Sequence, residues 1–449
     1  MKADLNARSP WAALNDVHQV EISPATQPIT GEIAVPGSKS FTNRALILAA
    51  MAAGVTKLSG LLKSDDSYWC IDALKRIGVD VKMNDDDTVE IEGSGGDWPN
   101  QTGDLYIGAS GTVGRFLPGA LAASPAGKWK LEASERMSQR PVEPLIEGLS
   151  ALGANVTYLG EKGFYPLEVE GTGLNGGEVR ISGKVSSQFI SGLLMAAPYA
   201  RKPVTIRIVD HIVQHAYVNI TLDLMKQFGI HVEADDDLTK MVVQPGKYVG
   251  RPLQLEADAS TSCYFLAAAA ITGGKIRITN LSAGTRQPDI LLTDVLEEMG
   301  CRVTKGKDYV ELEGPNTAVL KGNKTFSMKE MSDQALTLAA VSVFADDPVT
   351  ITDVEHIRHH ESDRIHAICE SFERLGIRCE EFRDGLTVYP GAPKAAELPS
   401  YDDHRVAMSL SLIGLRTEGI RIDDPGCVSK TCPNYFQLLE ELGVNVHFS

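Results

Sequence analysis

Six times along the chain, a helix end, a glycine and a strand start follow one another in the same phrase. The first copy is Ala73-Leu74-Lys75-Arg76-Ile77-Gly78-Val79-Asp80-Val81, and the second is Gly148-Leu149-Ser150-Ala151-Leu152-Gly153-Ala154-Asn155-Val156. The third is Leu224-Met225-Lys226-Gln227-Phe228-Gly229-Ile230-His231-Val232, and three more lie around Gly300, Gly376 and Gly443. A helix that turns left-handed before a strand begins favours glycine at the turn, because a Cβ there meets the neighbouring carbonyl. Successive glycines stand 75, 76, 71, 76 and 67 residues apart. That period is too long for a solenoid and suits a small α/β unit of two helices and several strands. Such junctions occur in any α/β protein; the even spacing is what favours a true repeat. Six units suggest two domains of three, in keeping with a 449-residue chain too long for one core.

The net charge of −16 argues against non-specific binding to nucleic acid or to an anionic membrane. An anionic ligand would therefore need a local cluster of cations. No stretch reaches the length of a membrane span, and residues 1–17 lack the apolar core of a signal peptide and read as a short extension. The seven cysteines are scattered and never spaced Cys-x-x-Cys, which suits reduced thiols in the cytoplasm and makes a zinc site improbable.

Polar groups gather where apolar helices begin. The stretch Val35-Pro36-Gly37-Ser38-Lys39-Ser40-Phe41-Thr42-Asn43-Arg44 precedes a buried-looking apolar run at 45–53. A helix start offers unpaired N–H groups and partial positive charge, so Lys39, Arg44 and the hydroxyls beside them suit a phosphate or carboxylate. An ordinary capped helix with solvated cations fits the same ten residues, and the glycine spacing of a P-loop is absent. Ser186-Ser187-Gln188, Asp258-Ala259-Ser260-Thr261-Ser262 and Ser332-Asp333-Gln334 introduce three further apolar helices. Arg115 follows a glycine-rich turn at 108–114 whose N–H groups suit an anion. Arg136, Arg140, Arg364, Arg405 and Lys430 also sit near glycines or helix starts. The stretches 358–364 and 402–405 are dense with charge, for which surface ion pairs are the commoner explanation. Adjacent His359 and His360 do not face one way, so no metal is expected.

Taken in order, these motifs resemble the 5-enolpyruvylshikimate-3-phosphate (EPSP) synthases from about Ile22 to the end of the chain. They are Pro36-Gly37-Ser38-Lys39-Ser40 with Asn43-Arg44, Ser64-Asp65-Asp66, Gly111-Thr112 with Arg115, Arg136-Met137 with Arg140-Pro141, and Ser186-Ser187-Gln188-Phe189. Then follow Asp258-Ala259-Ser260, Asp333, Glu361-Ser362-Asp363-Arg364, Asp403-His404-Arg405 with Ala407-Met408, and Lys430-Thr431. No single one is decisive; their order is. The resemblance implies an α/β, two-domain enolpyruvyl transferase fold, each domain of three βαβαββ units, joined by a double-stranded hinge. One domain would be discontinuous, 18–35 plus 258–449, and the other 36–257. The implied reaction adds the 5-hydroxyl of shikimate 3-phosphate to C2 of phosphoenolpyruvate, protonates C3, and expels phosphate from the tetrahedral intermediate. It implies no metal or organic cofactor, and partners limited to the two small-molecule substrates, with a cytoplasmic monomer as the expected form. By the same resemblance, Lys39, Ser40, Arg44, Ser186, Ser187, Gln188, Tyr217, Asp333, His356 and His360 hold shikimate 3-phosphate. Lys39, Gly111, Arg115, Arg136, Gln188, Arg364, Arg405 and Lys430 surround phosphoenolpyruvate. Asp333 accepts the hydroxyl proton, Glu361 delivers one to the methylene carbon, and Lys39 is a further candidate for proton transfer.

The chemistry is consistent with those residue types. Phosphoenolpyruvate carries a phosphate and a carboxylate, and arginine pairs with both in bidentate fashion while stabilising charge on the leaving group. A glutamate that donates a proton wants a raised pKa, which neighbouring cations oppose. Some positions depart from the family pattern. Gln214 stands where a serine is common, and His356 and His360 stand for asparagine and lysine, two groups expected to be pH-sensitive. Ala109, Ser110, Val113, Phe116 and Ala133 alter the surroundings of Gly111 and Arg136, from which reduced sensitivity to glyphosate is expected. The sister transferase acting on UDP-N-acetylglucosamine carries a loop cysteine that residues 108–118 lack. A silent binding protein on this scaffold would have lost the acid, base or cations, and all are present. A nucleic-acid-processing cyclase would want a basic face.

Overall fold

The computed structural model describes residues 4–449, and within them the six phrases become six four-stranded sheets. The second unit displays the plan within one continuous stretch of chain, with a single extra turn of helix at Glu135–Ser138. Strand Thr102–Tyr106, helix Val113–Ala122, strand Lys128–Glu132, helix Glu143–Ala151 and strands Asn155–Tyr158 and Leu167–Glu170 follow in sequence. The first two strands pair in parallel through their crossover helix, and the last two add antiparallel with their order exchanged. The third unit repeats this from Gly177–Gly183 to Lys240–Val243, and the fifth from Lys324–Ser327 to Gly385–Val388. At each junction the glycine is left-handed, with φ of 90° at Gly78, 91° at Gly153, 92° at Gly229, 103° at Gly300, 73° at Gly376 and 82° at Gly443.

The other three units borrow a strand from a distant part of the chain. Leu253–Gln254 supplies the leading parallel strand beside Ala53–Ser59. Thr30–Ile33 does the same beside Lys275–Ile278, and Gln19–Ile22 completes the sheet of Ile420–Asp423 and Val446–Phe448. The chain accordingly forms two compact units, Gly37–Leu255 and the remainder, residues up to Pro36 with Glu256–Ser449. Among the described residues no helix is long and apolar enough to cross a membrane.

The first helix of every repeat is the buried one. In the Gly37–Leu255 unit, Val113–Ala122 packs against both Lys39–Met51 and Ser187–Ala196. A Cβ on Gly192 would stand 2.1 Å from the Arg115 carbonyl oxygen, so only glycine allows that approach. In the other unit, Ala259–Thr272, Ala335–Ser342 and His404–Gly414 pack on one another, buried on nearly every face. Cross-links tie the helix starts. Asn43 Nδ2 donates to Thr112 Oγ1 at 2.7 Å, and Gln334 Nε2 donates to the Ser260 carbonyl at 3.4 Å. Helix starts, with their free N–H groups, thus collect at one end of each three-helix core.

Candidate functional site

In the unit containing Glu256–Ser449, a buried guanidinium is surrounded by predicted site residues. Asp333 lies in the short turn Ser332–Gln334 that opens its helix, Arg364 opens helix Arg364–Arg374, Arg405 follows His404 at the next helix start, and Lys430 ends the turn Pro425–Lys430. Asp403 caps its own helix, accepting from the Arg405 backbone N–H at 3.0 Å. Arg364 Nε donates to Asp403 Oδ2 at 2.8 Å, and Nη2 to Asp403 Oδ1 at 3.2 Å and Glu361 Oε2 at 2.9 Å. Nη1 donates to Asp333 Oδ1 at 2.9 Å and faces His360 Nδ1 at 3.0 Å. A guanidinium has five N–H bonds, and five acceptor atoms on four residues meet it.

The second oxygen of each predicted catalytic carboxylate meets another cation. Arg405 Nη2 stands 2.9 Å from Asp333 Oδ2, and Lys430 Nζ 3.2 Å from Glu361 Oε1. Asp333 and Glu361 are therefore each held between two cations, one of which they share. Three cations face three carboxylates once Asp403 is included. Burial and the three carboxylates act on Arg364 in opposite senses, and the net effect raises its pKa above the usual range.

His360 departs from expectation. Burial first, and the Arg364 charge second, push its pKa well below the usual histidine range. An Nδ1 that accepts from Arg364 belongs to a neutral ring with its proton on Nε2. His360 is thus a neutral donor near pH 7, and the pH sensitivity anticipated for it moves into acid. His356 Nε2 lies 2.8 Å from Ser332 Oγ. The surface ion-pair reading describes Arg358, which binds Asp363 at 3.0 Å and Glu381 at 2.8 Å, whereas Arg364 is buried.

The Gly37–Leu255 unit gathers its own set. Lys39 and Ser40 open helix Lys39–Met51, and Arg44 lies buried one turn further in. Its Nε donates to Thr221 Oγ1 at 2.7 Å, Nη1 to the Ser40 carbonyl at 2.9 Å, and Nη2 to the Tyr217 carbonyl at 3.2 Å and Ser191 Oγ at 3.4 Å. Burial, partly offset by Tyr217, brings its pKa down to about 10, so it remains a cation at neutral pH. Arg44 joins Ser40 to Tyr217 and fixes the helices that carry them. Ser186 caps helix Ser187–Ala196 by accepting from the Gln188 N–H at 3.2 Å. Arg115 Nη1 donates to the Gly111 carbonyl at 3.2 Å and Nη2 to that of Pro141 at 2.9 Å. Arg136 donates to Gln139 Oε1 at 3.3 Å.

Two residues outside the predicted site set belong with it. A Cβ built on Gly111 would stand 3.0 Å from Arg140 Nη1 and 3.2 Å from Arg115 Nη1, so two guanidiniums flank that glycine. Arg140 was visible in the sequence as the partner of Arg136 in one motif. Asp403 was visible beside Arg405, but its grip on Arg364 spans 39 positions and has no local signature.

Comparison with known proteins adds an independent line. The family model described as EPSP synthase (3-phosphoshikimate 1-carboxyvinyltransferase) matches residues 24–439. The chain is 59% identical to "3-phosphoshikimate 1-carboxyvinyltransferase 2" of Halalkalibacterium halodurans, over 99% of each. It is 40% identical to the 3-phosphoshikimate 1-carboxyvinyltransferase of Trichormus variabilis, over 93% of this chain and 97% of the relative. Among solved structures, an EPSP synthase from Acinetobacter baumannii superposes with a TM-score of 0.81 at 26% identity, covering 96% of this chain and 100% of the other.

Proposed function

The chain belongs to the EPSP synthase (3-phosphoshikimate 1-carboxyvinyltransferase) family, and from that premise we propose how its residues divide the reaction. It transfers the enolpyruvyl group of phosphoenolpyruvate to the 5-hydroxyl of shikimate 3-phosphate and releases phosphate, a step toward the aromatic amino acids. The observation that supports our assignment is the sharing of Arg364 between Asp333 and Glu361, with Arg405 and Lys430 on their outer oxygens.

Asp333 takes the proton of the 5-hydroxyl as its oxygen bonds to C2 of phosphoenolpyruvate. C3 gains a proton in the same addition, from Glu361 with Lys39 as its alternative, to give a methyl group. In the elimination that methyl loses a proton, the C–O bond to phosphorus-bound oxygen breaks, and phosphate departs. Arg364, Arg405 and Lys430 suit the carboxylate and phosphate of phosphoenolpyruvate, and the family resemblance assigns Lys39, Arg115 and Arg136 to the same substrate. Gly111 and Gln188 complete that set with backbone and amide groups. Shikimate 3-phosphate is held by Lys39, Ser40, Ser186, Ser187, Gln188, Tyr217, His356 and His360, and Asp333 meets its hydroxyl. Arg44 supports this set mainly from behind, since its donors reach the Ser40 and Tyr217 carbonyls.

Phosphate release with both substrates, compared in Asp333→Ala and Glu361→Ala, tests the division. Asp333→Ala is expected to abolish addition. Glu361→Ala is expected to slow hydrogen exchange at C3 as well as turnover, and unchanged exchange would transfer the proton to Lys39. Reduced inhibition by glyphosate, a cytoplasmic location and a monomeric state are part of the same reading. Inhibition at low micromolar glyphosate under ordinary phosphoenolpyruvate would refute the first, and sedimentation as a dimer the last.

A further inference from the structure

Residues from Asp4 to His18, ahead of the family match that begins at residue 24, are bound to the segments that carry Arg405 and Lys430. Arg8 is buried, and its Nη2 reaches Asp402 Oδ1 at 3.0 Å and Asp424 Oδ2 at 2.5 Å. The Asp4 backbone N–H donates to the other oxygen of Asp402 at 3.1 Å, and the Asp424 N–H donates to the His18 carbonyl at 2.8 Å. A Cβ on Gly426 would stand 2.2 Å from Arg8 Nη1 and 2.8 Å from the Leu14 carbonyl oxygen. This stretch and the 424–430 turn are therefore in close contact.

Both aspartates sit where backbone is under strain. Asp402 has φ 53° and Asp424 φ 43°, left-handed conformations that are uncommon in residues carrying a Cβ and persist where the surroundings enforce them. Asp402 immediately precedes Asp403, the cap of the Arg405 helix and the bidentate partner of Arg364. Asp424 immediately precedes the turn Pro425–Lys430.

We propose that Arg8 is a positioning residue for phosphoenolpyruvate binding: by clamping Asp402 and Asp424 it fixes the two turns from which Arg405 and Lys430 project. The proposal rests on the reading that Arg405 and Lys430 bind that substrate. Without Arg8, two half-buried carboxylates lose the cation between them, and both turns relax. Shikimate 3-phosphate, assigned largely to other elements, is bound as before.

The test is steady-state phosphate release by the full chain carrying Arg8→Met, Arg8→Lys or Lys430→Met. Arg8→Met is expected to raise KM for phosphoenolpyruvate about tenfold with KM for shikimate 3-phosphate little changed, the pattern of a lost substrate-specific contact. Arg8→Lys keeps the charge but not the fork, and recovers part of the loss. Should Arg8→Met fail to fold, Asp402→Asn opens half of the clamp and carries the same expectation. A folded Arg8→Met with unchanged KM for phosphoenolpyruvate, or with both KM values raised alike, overturns the proposal. If Lys430→Met also leaves that KM unchanged, the underlying assignment of Lys430 is at fault; if Lys430→Met raises it, the Arg8 link alone has failed.

Discussion

Replacing Arg364 by lysine isolates geometry from charge at the centre of the cluster. The guanidinium serves Asp403 twice, Glu361, Asp333 and His360, each through its own N–H. An ammonium has three donors on a point charge, so at least two of these bonds are lost while the positive charge stays. Hydrogen bonds to charged groups contribute about 1.5–3 kcal/mol each, and losing two costs about 3–6 kcal/mol. If even half of that appears in the transition state, kcat/KM for phosphoenolpyruvate falls by about one to two orders of magnitude, at about 1.4 kcal/mol per decade. The loss should show in kcat as well as KM, because three donors cannot keep the bidentate grip on Asp403 and also hold both Asp333 and Glu361. Phosphate release over a range of both substrates is the assay, with urea unfolding run in parallel to follow the structural part. A lysine variant that keeps kcat/KM within threefold of the parent would refute the reasoning, since it would mean that charge alone suffices and the five-fold geometry is incidental.

Other consequences can be checked separately. Ala at Gly443, which has open space around it and φ 82°, should cost about 1 kcal/mol from backbone strain alone, as read by urea unfolding. Ala at Gly78 should cost more, because its Cβ would also meet Pro99 Cβ at 2.7 Å, and equal losses at the two sites would contradict this. The depressed pKa of His360 means that the unfolded chain takes up a proton before the folded one does. Stability is therefore full above the ordinary histidine pKa of about 6.5 and falls below it, by up to about 1.4 kcal/mol per pH unit from this group. His360→Gln should flatten the stability profile between about pH 6.5 and 5, and a variant with an unaltered slope would show that other groups dominate there.

The repeat was legible because its signature is local and stereochemical. Each junction glycine answers a left-handed turn within its own nine-residue phrase, and no distant contact is needed to read it. Strand borrowing had no such signal. Leu253–Gln254 is a two-residue strand, and Gln19–Ile22 has an ordinary alternating pattern that is silent about a partner 400 positions away. The site divides along the same line. Lys39, Asp333, Glu361, Arg364 and Arg405 stand at helix starts that the sequence marks with small polar residues, and the family resemblance supplied their roles. What could not be read is how one side chain serves several others. The fork of Arg364 joins three motifs, and Arg8 reaches partners 394 and 416 residues on. The neutrality of His360 likewise depends on burial and on a guanidinium above its ring nitrogen, neither of which residue type reveals.

The borrowed strands also set the order in which the molecule can be assembled during synthesis. Every strand of the Gly37–Leu255 unit has its partners within those residues, so this unit can close while the ribosome is still extending the chain. Gln19–Ile22 and Thr30–Ile33 are made earlier still, yet their neighbours are Ile420–Asp423, Val446–Phe448 and Lys275–Ile278. These two strands thus wait with unpaired edges, one until 275–278 has emerged and the other until 420–448 has. Those edges are open to wrong partners for most of that interval, and nascent chains arrested shortly after residue 255 would hold one finished body beside two unpaired strands.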